Sequence, residues 1–154
     1  MPKNEILVYN YSKERLPLTK KEIVSLSQRI LTLFGEREKV CLSLIFVSPS
    51  EIKKLNHYWR KKNEPTTVLT FPYSADSLSK DHQEIKEKDL GDIFFCPVII
   101  KKRAQESKIS YKKNFVILLI HSLAHLYGYD HKNKRDSLIM EEVEKNILAK
   151  LNFK

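Results

Sequence analysis

Three of the five histidines in this 154-residue chain fall within one eleven-residue stretch, HSLAHLYGYDH, as His121, His125 and His131. On a helix, His121 and His125 project from one face a single turn apart. Two imidazole nitrogens carried this way on a rigid element can share one metal ion. A third ligand needs the chain to turn, and Gly128 supplies the residue that most easily takes the left-handed conformation ending a helix. His131, three residues on, then swings back towards the other two. Three neutral nitrogen donors with a fourth position open describe a catalytic zinc site holding one Zn2+ per chain, not a closed structural one. Water at the open position would have its pKa lowered to about 7. Unpartnered imidazoles on an otherwise apolar helix would carry a desolvation cost, which argues against three unrelated histidines. His57 and His82 stand alone and read as ordinary histidines.

The spacing H-x-x-x-H-x-x-G-x-x-H is that of the metzincin peptidases, so a metalloprotease is the first alternative. In that class a glutamate follows the first histidine and serves as general base. Here the position is Ser122, whose hydroxyl cannot accept a proton at neutral pH, and the motif holds no other glutamate.

The segments around the motif must form the scaffold that positions it. Residues 5–10 read as a strand. Thr19 opens a helix through a T-x-x-E capping box with Glu22, and Gly35 closes it after the stripe Ile23, Leu26, Ile30, Leu33. Val40 to Val47 reads as a strand. Ser48, Pro49 and Glu51 form a second capping box with proline at the first helical position, starting a helix to about Trp59. Thr67–Tyr73 and Leu90–Cys96 are strand candidates, and the charged stretch 74–89 between them reads as an exposed loop. The rest is helical, over about 98–108, 112–127 and 136–151. The middle piece is apolar almost all round, hence a buried central helix; the last carries Met140, Val143, Ile147 and Leu151 on one face. This order gives an α+β fold, a mixed four-stranded sheet packed with about five helices.

A chain of this length is most simply one domain, residues 1–154, large enough to fold without disulfides. Cys41 and Cys96 sit in apolar runs and read as buried thiols of a reducing cytoplasm. The N-terminus has no signal-peptide pattern, and the longest apolar run, Phe115 to Ile120, is too short to cross a bilayer. Lysines and arginines number 28 against 19 acids, a net charge of +9 that favours a polyanionic partner, nucleic acid first. The cations cluster at Arg60-Lys61-Lys62, Lys101-Lys102-Arg103 and Lys112-Lys113, and acids at Asp81 to Asp89 and Glu141 to Glu144.

Taken together, these signatures resemble the YbeY family of bacterial endoribonucleases. The family's H-G-x-L-H-L-x-G-Y-D-H is matched by His121, His125, Leu126, Gly128, Tyr129, Asp130 and His131, with Ser122 for the glycine and Ala124 for the leucine. A second signature is similar through Leu55, Asn56, Arg60, Pro65, Thr66, Val68, Leu69, Phe71 and Pro72; Thr67 stands where the family usually has aspartate. Leu90-Gly91-Asp92-Ile93 is similar to the family's L-G-D-I. The resemblance covers about residues 40 to 150. It implies one zinc on the three histidines and single-stranded RNA as substrate. It also implies maturation of the 3′ end of small-subunit ribosomal RNA, ribosome quality control, and a catalytic part for Arg60.

The chemistry of individual residues fits that implication in part. Phosphodiester cleavage builds negative charge on nonbridging oxygens, which zinc and a guanidinium both stabilise. Arg60 meets phosphate oxygens two at a time, although a surface charge at a basic helix end is an equal reading without the resemblance. Asp130 has two possible roles, orienting the His131 imidazole or serving as general base. Asp92 reads as the end of a Gly-Asp turn, structural at least as readily as catalytic. Trp59, Tyr127 and Tyr129 are suited to stacking on bases or simply to packing. Three function classes therefore stand: a cytoplasmic, ribosome-associated endoribonuclease, a metalloprotease, and a non-catalytic ribosome-binding module with a structural zinc. Ser122 argues against the second, and three ligands rather than four against the third.

Overall fold

Thr19 and Glu22 make both halves of the expected box: the threonine hydroxyl accepts from Glu22 N–H at 3.1 Å and the Glu22 carboxylate accepts from Thr19 N–H at 3.0 Å. In the computed structural model, which describes residues 4–73 and 88–152, this cap begins helix α1 (Lys20–Leu33). Gly35, at φ +89°, ends it. The remaining elements are β1 (Glu5–Asn10), β2 (Val40–Phe46), α2 (Pro49–Arg60), β3 (Val68–Pro72), β4 (Lys88–Phe95), α3 (Pro97–Glu106), α4 (Tyr111–Leu126) and α5 (Lys134–Leu151). The architecture is the expected α+β arrangement, a mixed four-stranded sheet with five helices. Ser48 caps α2 by accepting from Glu51 N–H at 3.3 Å, while the Glu51 carboxylate faces Lys54.

Strand order is β1-β2-β4-β3. β1 and β4 run parallel to β2, and β3 runs antiparallel to β4. Alternation along β2 buries Val40, Leu42, Leu44 and Phe46 on one face. That face packs on α1 and on α4, whose Phe115, Leu119 and Leu123 are fully enclosed. Phe46, Phe95 and Phe115 meet with ring centroids 5.1–5.7 Å apart. The apolar sequence of α4 thus makes it the central helix, as its composition predicts. On the opposite face α2 seats Ile52 against Leu69, Val47 and Cys96.

Three expectations need correction. Lys88 and Asp89 are strand, not loop: they pair with Val40 and Cys41 at the start of β4. Gly91-Asp92 is no turn either, because both lie inside β4, just past a register shift opposite Cys41 and Leu42. Gly91 is required there by close approach. It has φ +128°, and a Cβ would run into the Phe71 carbonyl oxygen. Cys96 is buried as expected, but Cys41 is only half-buried. The rest of the expected loop, including His82, lies outside the described residues.

No helix among the described residues is long and apolar enough to cross a membrane.

Candidate metal centre

α4 ends in a full Schellman motif. Gly128 N–H donates to the His125 carbonyl at 3.0 Å and Tyr129 N–H to that of Ala124 at 3.1 Å, with Gly128 at φ +92°. The reversal returns the chain over the last turn of the helix and brings His131 back. One ring nitrogen from each of His121, His125 and His131 then lies within 4.8 Å of the others.

Glu144 of α5 stands behind His121, with Oε1 2.7 Å from Nδ1. The carboxylate accepts a hydrogen bond from Nδ1–H, which leaves the Nε2 lone pair free. His125 is engaged in turn by a hydrogen bond to the Tyr129 backbone. The Nε2 atoms of His121 and His125 face each other at 3.2 Å. Tetrahedral bonds of about 2.05 Å to a shared zinc would set two nitrogens roughly 3.3 Å apart. The donor set and its spacing therefore fit a metal ion. Burial first, and then the neighbouring His121 and His131, push His125 below its ordinary pKa, which favours the neutral imidazole a metal requires.

The histidines open into a cleft of about 570 Å³. One wall is β3, from Val68 to Pro72; another is the end of α2, which contributes Trp59 and Arg60. Arg60, predicted from the second signature, thus shares a cleft with the three histidines although 61 residues of sequence separate it from His121. Asp130 lines the same cleft. Its Oδ1 accepts from the His131 backbone N–H at 2.7 Å and lies 3.6 Å from the ring Nδ1. It therefore steers the chain that carries the imidazole more directly than the imidazole itself. Tyr129 also lines the cleft.

Other sequence candidates fall elsewhere. Ser122 is buried and donates to the Leu118 carbonyl at 2.8 Å, inside its own helix; no glutamate is among the residues lining the cleft. The glutamate that serves as base in the metzincin peptidases is therefore absent from the described site. Asp92 faces Ser43 on the sheet, its pKa raised by burial and by Asp89. Tyr127 packs on Phe34 at 5.1 Å and donates its hydroxyl to Glu36 at 2.8 Å. Glu36 also accepts from Lys88 at 3.1 Å. Burial would raise the Glu36 pKa, but these donors outweigh it and hold it low. The result ties the end of α1 to the end of α4, just before the turn to His131. Neither Glu36 nor Glu144 was singled out by sequence. For Glu144 a signal exists: it follows Val143 and lies four residues after Met140 and three before Ile147, at the margin of the apolar face of α5.

Comparison with known proteins bears on this geometry. The family model described as Endoribonuclease YbeY matches residues 8–152. The chain belongs to the YbeY endoribonuclease family. Among YbeY relatives, Endoribonuclease YbeY of Legionella pneumophila (strain Corby) is 33% identical over 146 residues, 95% of this chain and 89% of that protein. Endoribonuclease YbeY of Finegoldia magna is 41% identical over 112 residues, 73% of this chain and 69% of the relative. The solution structure of TM1509 from Thermotoga maritima aligns with a TM-score of 0.58 at 25% identity, covering 96% of this chain and 91% of that one. The family assignment matches the resemblance read from the three signatures, and the chain is a metal-dependent endoribonuclease of the YbeY type.

Proposed function

We propose that this chain is a zinc-dependent, single-strand-specific endoribonuclease. Its substrate is the 3′ end of small-subunit ribosomal RNA, and it serves ribosome maturation and quality control in the cytoplasm. The carrying observation is the pair of Nε2 atoms of His121 and His125, 3.2 Å apart, with Nδ1 of His121 engaged by Glu144. A metal ion can take the place of the ring proton between these two nitrogens, and His131 completes a three-nitrogen set with room for substrate. Zinc bound there supplies a Lewis acid at a phosphodiester oxygen.

The chain's own residues do the rest. Arg60 grips the nonbridging oxygens of the phosphate through its planar fork. Glu144 holds the His121 proton on Nδ1 and so fixes the ring's orientation. Asp130, at the cleft surface, is the carboxylate available to take a proton from the attacking group. The net charge of +9 supports a polyanionic substrate.

The test is to quantify bound metal and then offer the protein a single-stranded ribosomal RNA fragment and unfolded casein, beside His125→Ala and Arg60→Ala. The expected result is one zinc per chain, with RNA cleavage lost in both variants and casein left intact. Unchanged RNA cleavage in His125→Ala would overturn the proposal, and casein degradation lost in that variant would establish a protease.

A further inference from the structure

Trp59 is the only tryptophan in the chain, and it is 61% exposed while lining the histidine cleft. An indole packed for stability alone would be buried more deeply. It is held in place nonetheless: Phe71 meets it at 5.8 Å and Tyr58 at 4.9 Å, both edge-on. Phe71 is itself braced by Phe94 at 5.6 Å. Three residues before Trp59, buried Asn56 donates to the Glu64 carbonyl at 2.8 Å, pinning the segment that follows α2. Arg60, Lys61 and Lys62 follow the indole directly and are exposed. A rigid, exposed aromatic surface beside three cations, at the mouth of a catalytic cleft, has the two elements that single-stranded nucleic acid requires.

We propose that Trp59 is the stacking platform for one unpaired base of the RNA, next to the phosphate that reaches the three histidines. The neighbouring cations follow the backbone on that side. The platform requires an extruded base and therefore selects single strands over duplex, where bases are already stacked. It rests on the endoribonuclease reading for the identity of its ligand.

Because Trp59 is unique, its fluorescence reports directly on its own surroundings. The zinc-loaded full chain is titrated with a single-stranded 2′-O-methyl oligoribonucleotide, and cleavage of the matching RNA is measured in parallel. Saturable quenching is expected, lost when one base of the oligonucleotide is replaced by an abasic unit. Trp59→Ala is expected to raise KM roughly tenfold or more, with the loss falling on KM and not on kcat, and Trp59→Phe to recover most of it. Oligonucleotide binding without quenching, or an unchanged KM in Trp59→Ala, would overturn the platform. Quenching by poly-glutamate but not by the oligonucleotide would also overturn it and indicate an acidic protein partner. Quenching by RNA in a protein that cleaves none would uphold the platform and sink the enzymatic reading instead.

Discussion

Glu144 Oε1 lies 2.7 Å from His121 Nδ1, joining α5 to the metal-facing side of α4. The contact gives α5 a function beyond packing, since it sets which nitrogen of His121 is free. Glu144→Gln is expected to weaken zinc affinity by about 10- to 100-fold, the usual cost of losing such a partner. Competition with a chromophoric chelator measures this, and circular dichroism checks that the helices remain. Unchanged affinity would remove Glu144 from the site.

Arg60 shares the cleft with the histidines but is not one of their ligand set. Arg60→Ala should therefore leave zinc content at one per chain while lowering kcat on single-stranded RNA by about 10²-fold or more. Arg60→Lys should recover only part, because a lysine offers a point charge and not a two-pronged contact. Loss of zinc in Arg60→Ala would mean that the residue supports the fold of the site instead.

The depressed pKa of His125 has a consequence for the metal-free protein. Burial and the charges of His121 and His131 hold it below 6.5, against the Tyr129 backbone and Asp130. Between the folded value and 6.5 the unfolded chain binds more protons, so stability rises with pH across that window. The contribution is complete above about 6.5 and lost as pH falls through the depressed value. Urea midpoints of the metal-free protein should fall from pH 7.5 to pH 5, and His125→Gln should flatten that fall. Parallel pH curves for the two proteins would contradict the assignment.

Two glycines with positive φ should respond differently to alanine. At Gly91 the added Cβ meets backbone, the Phe71 carbonyl and Tyr73 N at 2.9 Å, which cannot move aside without parting β3 from β4. Gly91→Ala is expected to cost about 2–4 kcal/mol. At Gly128 nothing lies within 4 Å of the added carbon, so only the left-handed conformation is penalised, by about 1–2 kcal/mol. Thermal unfolding distinguishes them: a few degrees lost for Gly128→Ala and a much larger drop for Gly91→Ala.

What could be read from sequence was what local chemistry determines. Thr19 with Glu22, Ser48 with Pro49, and Gly35 and Gly128 after apolar stripes each mark a helix boundary without reference to the rest of the chain. The histidine triplet was legible for the same reason, because one helix turn and one glycine suffice to assemble it. Lys88 and Asp89 carry charges that suit a loop, whereas the sheet accepts them at its end opposite Val40 and Cys41. Gly91-Asp92 carries turn chemistry, yet the close passage of Phe71 explains the glycine within a strand. Strand order and the contacts Glu144–His121 and Glu36–Tyr127 depend on tertiary packing across 23 and 91 residues, and no local pattern encodes such partners.

The central claim is that three histidines hold one metal through which this chain cleaves RNA. Its most direct test is to add zinc stepwise to the metal-free protein while measuring cleavage of single-stranded RNA. Activity should rise linearly and break at one zinc per chain, and His125→Ala should show no rise. Full cleavage before any zinc is added, or an equal rise in His125→Ala, would contradict it.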